Sequence, residues 1–132
     1  MRDDEDQEEE ETDEDGNLLY SDYDGGIRTA VRVWCRDPAN AKAKYGPIAS
    51  WDTSGVTYMN ALFLCKEDFN EDISRWNVSN VVNMNGMFFG ATAFDRQLGG
   101  AWATSTASKT CMFFKSPGTI AGKTKNAGGT IE

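Results

Sequence analysis

Asp68, Asn70, Glu71 and Asp72 bring oxygen-bearing side chains together in the short stretch DFNEDIS, and such a cluster could ligate calcium. Calcium loops of the helix-loop-helix kind need ligands at fixed alternate positions and a glycine at their sharp turn. Neither the spacing nor the glycine is present, so turn capping is the simpler reading. The other reactive side chains are Cys35, Cys65 and Cys111. An odd set without CxxC spacing reads as reduced and structural, against one disulfide plus a free thiol. The chain contains no histidine, which removes the commonest general base and the Ser-His and Cys-His nucleophile pairs. With no GxSxG, P-loop or GxGxxG motif, the sequence predicts no catalytic residue, no cofactor and no metal site, and so no enzyme. One modification signal stands out: Asn77-Val78-Ser79 makes Asn77 a candidate glycosylation site if the chain is secreted, although Asn77 also suits a turn.

The elements that would position these residues are organised by a repeat. Laying Trp51 on Trp76 pairs Ser54 with Ser79, Val56 with Val81, Met59 with Met84, Asn60 with Asn85, Phe63 with Phe88 and Phe69 with Phe94. Ile73 falls over Leu98. A period of this size usually means stacked units.

Charge is confined to one end. Residues 1–15 hold eleven Asp or Glu and one Arg, a net of −10, and the remainder is close to neutral at +2. The stretch 1–24 is therefore expected to be a disordered acidic tail that could contact basic proteins. The ordered part is too nearly neutral for nucleic-acid binding. No signal peptide is recognisable, and apolar runs such as ALFLC are too short to span a membrane. The chain as written is expected to be soluble.

Residues 25–50 read as an N-terminal helical cap. Ile27, Ala30, Val31 and Trp34 fall on one face of a helix, with Arg28, Arg32 and Arg36 on the other side, facing solvent or an anionic partner. Asp37-Pro38 ends that helix and starts a second, which Gly46 closes. Residues 51–116 then form the repeat, with units near 51–75 and 76–101 and a degenerate one at 102–116. Val56, Met59, Leu62 and Phe63, and later Val81, Met84, Met87 and Phe88, share a face at 100° per residue, so each unit predicts a helix of about ten residues begun near Ser54 or Ser79. A short strand is predicted around Asp72 to Trp76. In the third unit Trp102, Ser105 and Phe114 keep register with Trp76, Ser79 and Phe88 after a one-residue insertion. Residues 117–132 read as a flexible tail.

WDTSGVTYMNALF and FNEDISRWNVSNVVNMNGMFFGATAFDRQL together resemble the BspA-like leucine-rich-repeat surface proteins, also called the mycoplasma-type lipoprotein repeat family. The resemblance covers about residues 27–116, and the segment from Ile27 to Ser54 is similar to the cap that precedes the first unit in some members. It implies an α/β solenoid of the leucine-rich-repeat kind, usually at a cell surface and engaged in adhesion or protein recognition. The carried-over positions, Trp51, Val56, Met59, Phe63, Phe69, Ile73, Trp76, Val81, Met84, Phe88, Phe94 and Trp102, are core and register residues. Asn77 stands where the family has Asp.

The function expected is thus a non-enzymatic protein-protein interaction or adhesion module. Its candidate surface is the variable row that includes Tyr58, Glu71, Arg75 and Arg96. The alternative is an intracellular adaptor whose acidic tail binds basic partners through salt-sensitive contacts.

Overall fold

A computed structural model describes residues 26–132; the acidic stretch 1–24 lies outside the described residues. The fold is a small mixed α/β arrangement with few helices, one two-stranded parallel sheet and a large buried aromatic cluster. Helix α1 (Ile27–Arg36) buries Ile27, Ala30, Val31, Val33 and Trp34. Asp37 caps helix α2 (Pro38–Tyr45) by accepting from the Asn40 amide at 3.1 Å. Pro38 supplies the preset φ of a first turn. Gly46 turns the chain at φ 84°, and a 3₁₀ turn (Ile48–Ser50) leads to Trp51. The Trp51 ring meets Trp34 edge-on at 5.8 Å and stacks on Trp76 at 6.3 Å, which joins the helices to the repeat.

From there the chain runs in successive units whose backbones bond sideways to one another. The amides of Met59, Ala61, Phe63 and Cys65 donate to the carbonyls of Asn83, Asn85, Met87 and Phe89 at 2.7–2.9 Å. Those of Met84, Gly86, Phe88 and Gly90 donate in the same way to Ser108, Thr110, Met112 and Phe114. Parallel bridges join Tyr58 to Asn83 and Asn83 to Ser108.

This sideways ladder corrects the expectation of a helix in each unit. Every second amide is spent on the neighbouring unit, and those between close turns within the unit, as Leu62 does to Met59 and Leu64 to Ala61. No amide remains for a bond to the residue four back. Consecutive turns still bring Val56, Met59, Leu62 and Phe63 to one side, so apolar spacing alone could not separate them from a helix. The winding needs left-handed backbone twice per unit. It is found at Ala61, Gly86 and Cys111, and again at Cys65, Gly90 and Lys115, with φ between 55° and 74°.

The strand expected around Asp72 to Trp76 is also absent. Ser74 and Arg75 form a turn, held by the Ser74 amide on the Asp72 carboxylate at 3.0 Å and the Trp76 amide on the Ile73 carbonyl at 3.1 Å. Strand pairing appears later in the unit, where β1 (Gln97–Leu98) runs parallel to β2 (Thr119–Ile120). Between them a short helix, α3 (Ala101–Thr104), carries the buried Trp102.

Aromatic rings form two columns inside the winding. Phe63, Phe88 and Phe113 stack at 5.4 and 5.3 Å, nearly parallel, with Phe69 and Phe94 beside Phe63 and Phe88 at 4.0 and 4.2 Å. Fully burying one such side chain is worth about 1.5–3 kcal/mol. The two buried indoles also bond across units: Trp76 donates to the Ile48 carbonyl at 2.8 Å and Trp102 to that of Ile73 at 3.2 Å. Thus each of these two indoles is both packed and hydrogen-bonded.

Two further expectations change in the third unit. Phe113 rather than Phe114 takes the place below Phe88, because the extra residue before Trp102 is absorbed by Ser108, which bridges Asn83 at the ordinary 25-residue step. Residues 117–132 do not trail loosely. They contribute β2 and then a small hairpin in which Lys125 bridges Ile131 antiparallel.

Candidate interaction surface

The ladder has two ends, and each is closed by a different device. At the first unit, the carbonyls of Tyr58 and Asn60 correspond to those of Asn83 and Asn85 one unit on, which accept amides of the unit before. Arg28 of α1 takes that role. Its guanidinium donates to the Asn60 carbonyl at 2.8 Å, to the Asn60 side chain at 3.3 Å and to the Tyr58 carbonyl at 3.5 Å. The sequence placed Arg28 with Arg32 and Arg36 on an outward stripe. Only the stacking of the units reveals that it faces backbone carbonyls of the first rung.

Polar side chains along the ladder are consumed in the same way. Asn85 accepts from the Ser108 hydroxyl at 2.6 Å and the Thr110 amide at 2.8 Å, while Asn83 accepts from the Asn85 amide. Large apolar groups left at the surface there are Tyr58, Leu64 and Val82, exposed by 38%, 44% and 56%.

The loop that carries the remaining candidate residues is built by cross-unit bonds. Asn70 and Asp95 exchange two hydrogen bonds at 3.0 and 3.2 Å, and Arg96 Nε donates to the Asn70 carbonyl at 2.9 Å. Arg96 is therefore tied into the fold, whereas Glu71 and Arg75 are exposed. Hydrogen bonds from Ser74 hold the Asp72 carboxyl below its ordinary range, with smaller help from the Arg96 and Arg75 charges. Glu71, Arg75 and Arg96 thus share one neighbourhood around Asp72. Tyr58 lies elsewhere, on the ladder beside Asn83.

Among the described residues, no three His, Cys, Asp or Glu side chains converge as metal ligands. In DFNEDIS, Asn70 serves Asp95 and Asp72 serves Ser74, so these groups hold turns. Asn77 is exposed, and its side-chain Oδ1 accepts from the Ser79 amide and hydroxyl at 3.0 and 2.7 Å. Asp52 makes the same pair of bonds to Ser54, which explains why Asn can replace Asp at this place.

A groove of about 760 Å³ runs between α1 and the turn after the first rung. Arg32, Arg36 and Lys66 contribute positive charge, Glu67, Asp68 and Glu71 negative charge, and Trp34 and Phe69 form part of its lining. Cys35 and Cys65 also border it, and all three cysteines are free thiols. Burial pushes the Cys35 thiol up, against a smaller opposite pull from Lys66. A raised thiol stays protonated at neutral pH and is a poor nucleophile. The groove therefore offers mixed charge and a little apolar surface.

Residues 38–126 match the pattern of a family described as Mycoplasma protein of unknown function, DUF285. The chain belongs to DUF285. The DUF285 region begins at the Pro38 that opens α2 and runs through all the stacked units into the C-terminal hairpin, so α1 and its Arg28 lie outside it. No curated protein and no solved structure matches this DUF285 chain. Among the described residues, no helix is long and apolar enough to cross a membrane.

Proposed function

We propose that this DUF285 chain is a non-enzymatic protein-recognition module, a short solenoid of the BspA-like leucine-rich-repeat kind that serves protein-protein interaction or adhesion. One observation carries this reading: the ladder of amides from Met59 to Cys65 onto the second unit is repeated, position for position, from Met84 to Gly90 onto the third. A stack in which each unit contacts only its neighbours is the organisation of repeat proteins, whose extended surfaces are used for binding. The core positions are spent on stacking, so specificity falls to side chains that the ladder leaves outside. Those are Tyr58, Glu71 and Arg75, together with the mixed-charge groove beside Glu71. Arg96 supports the loop beneath them.

The test is a binding comparison on surface proteins from the source cells, using the intact chain and the variants Tyr58→Ala, Glu71→Arg and Arg75→Glu. A partner held by the intact chain and lost by one of these variants at unchanged thermal stability supports the module. Partners indifferent to all three substitutions, or catalytic turnover of a captured protein, would overturn it.

A further inference from the structure

The net charge of the described residues lies in the helical cap alone. Residues 26–50 hold five Lys or Arg and one Asp, a net of +4, whereas residues 51–132 hold seven Lys or Arg and seven Asp or Glu and balance. The stacked units also spend several of their cations on the fold. Lys109 sets its ammonium on the Ser105 and Ala107 carbonyls at 2.8 and 3.1 Å, and Lys125 does the same on Ser116 and Gly118 at 2.9 and 2.8 Å. Lys125 belongs to the hairpin that closes the far end of the ladder, where Phe113 donates to the Gly129 carbonyl at 2.9 Å and Cys111 to the Thr130 hydroxyl at 2.8 Å.

The cap is arranged differently. Its one carboxylate, Asp37, accepts from the Asn40 amide, and Arg28 is committed to the first rung. Arg32 and Arg36, one turn apart on α1, line the groove together with Lys66. Lys42 of α2 is exposed over a second hollow that shares Trp34 and Pro38 with the groove, so the basic surface continues from α1 onto α2. Glu67, Asp68 and Glu71 line the groove on the side of the turn. An anionic segment is therefore drawn to the helices and repelled from the turn.

Such a segment is present in the same chain. Residues 3–15 hold eleven Asp or Glu and no Lys or Arg, and ten residues, 16–25, separate them from Gly26 at the start of α1. Ten residues span at most about 33–36 Å, and a helix of ten residues is about 15 Å long, so the acidic run can reach the whole length of α1. A segment tethered over this distance is present at roughly millimolar effective concentration. The acidic run and α1 also both lie outside the stretch that matches DUF285, so they form a pair that this chain carries beside its DUF285 region.

We propose that residues 3–15 dock on the basic cap along Arg32, Arg36 and Lys42 and shield that face from other anions. An acidic partner from outside has to displace the run, and the contact weakens as salt screens it. This inference does not rest on the recognition reading, because it concerns a contact within one chain and is tested without a partner.

The test is carbodiimide coupling of the full chain at micromolar concentration, which joins a carboxylate directly to an amine beside it, with the joined residues identified by mass spectrometry. Lys42 and Lys66 should couple to carboxylates of residues 3–15 within one chain, at least about fivefold more than the exposed Lys115 and Lys123 do, and the yield should fall severalfold from about 20 to about 300 mM salt. Arg32→Glu with Arg36→Glu should lower this coupling about tenfold at unchanged melting temperature. A second variant leaves the folded part untouched: with every Asp and Glu of residues 3–15 changed to Asn and Gln, the chain should bind a fluorescent polyglutamate peptide about tenfold more tightly than the unaltered chain does. Equal affinity for that peptide would overturn the proposal. So would coupling spread evenly over Lys115 and Lys123, coupling only between chains, or coupling undiminished in the folded double-arginine variant.

Discussion

Arg28 donates to the backbone carbonyl of Asn60 across a sequence gap of 32 residues, and this one guanidinium closes the open end of the first rung. A helix outside the repeat thereby supplies the donors that a preceding unit would have provided. Arg28→Ala is expected to lower unfolding stability by about 1–3 kcal/mol, since charged donors to buried or half-buried acceptors are among the stronger hydrogen bonds. Arg28→Lys should recover part of the loss, because an ammonium cannot span two carbonyls as a fork does. Urea unfolding of the three proteins checks this, and an Ala variant as stable as the parent would refute the capping role.

Left-handed backbone recurs at Cys65 and Gly90, one unit apart, and only one of them is glycine. A side chain in that conformation costs roughly 1–2 kcal/mol, against about 0.5–1 kcal/mol for the added freedom of glycine in the unfolded chain. Cys65→Gly should therefore stabilise by several tenths of a kcal/mol to about 1. Gly90→Ala should destabilise, because its Cβ would also lie 3.1 Å from the Cys65 sulfur. The double variant should lose less than the sum, which a double-mutant cycle in urea would measure.

Phe88 sits in the middle of the ring column, touching Phe63, Phe94 and Phe113. Phe88→Ala should cost about 3–5 kcal/mol and leave the chain close to its unfolding threshold. Phe89→Ala, one residue on and half-buried against Phe114, should cost under about 1 kcal/mol. Thermal unfolding followed by near-ultraviolet circular dichroism distinguishes them; equal losses would contradict the column.

The bonds from Ser54 hold the Asp52 carboxyl below its ordinary range. A depressed folded value means stability that is present above the unfolded value and is lost as pH falls through the folded one. Asp52→Asn copies the arrangement already found at Asn77, so it should match the parent near neutrality and lose less on acidification below about pH 4. Melting temperatures measured down to pH 2.5 test this, and parallel curves for parent and variant would count against it.

Much of the stacking is legible in the sequence, because Met59 with Met84 and Phe63 with Phe88 are identities at one spacing, and stacked positions demand like side chains. The conformation of each unit could not. Its turns wind the apolar residues to one side much as a helix does, and nothing in the types Ala61 or Cys65 announces a positive φ. The last register was read one residue late, at Phe114, because the insertion before Trp102 was carried on through the unit, and only the ladder from Phe88 to Met112 selects Phe113. The Asp72 to Trp76 segment carries residues suited to both strand and turn, and the Asp72–Ser74 bond decides for the turn. Arg28 was invisible as a cap because the carbonyls it meets line up beside it only once the units are stacked. The hairpin of 124–132 was hidden by Gly, Thr, Lys and Asn, types common in loose ends but here fitted to a backbone edge.

The bonds between units join residues 22 to 29 positions apart, from Ser116 with Phe94 to Trp102 with Ile73. Folding can therefore advance by closing one modest loop after another, each with about the same entropic cost, instead of waiting for the two ends of the chain to meet. Inserting a further unit into the middle of such a stack would add a ladder and a ring to the native state without lengthening the largest loop, so the protein could grow more stable without folding more slowly.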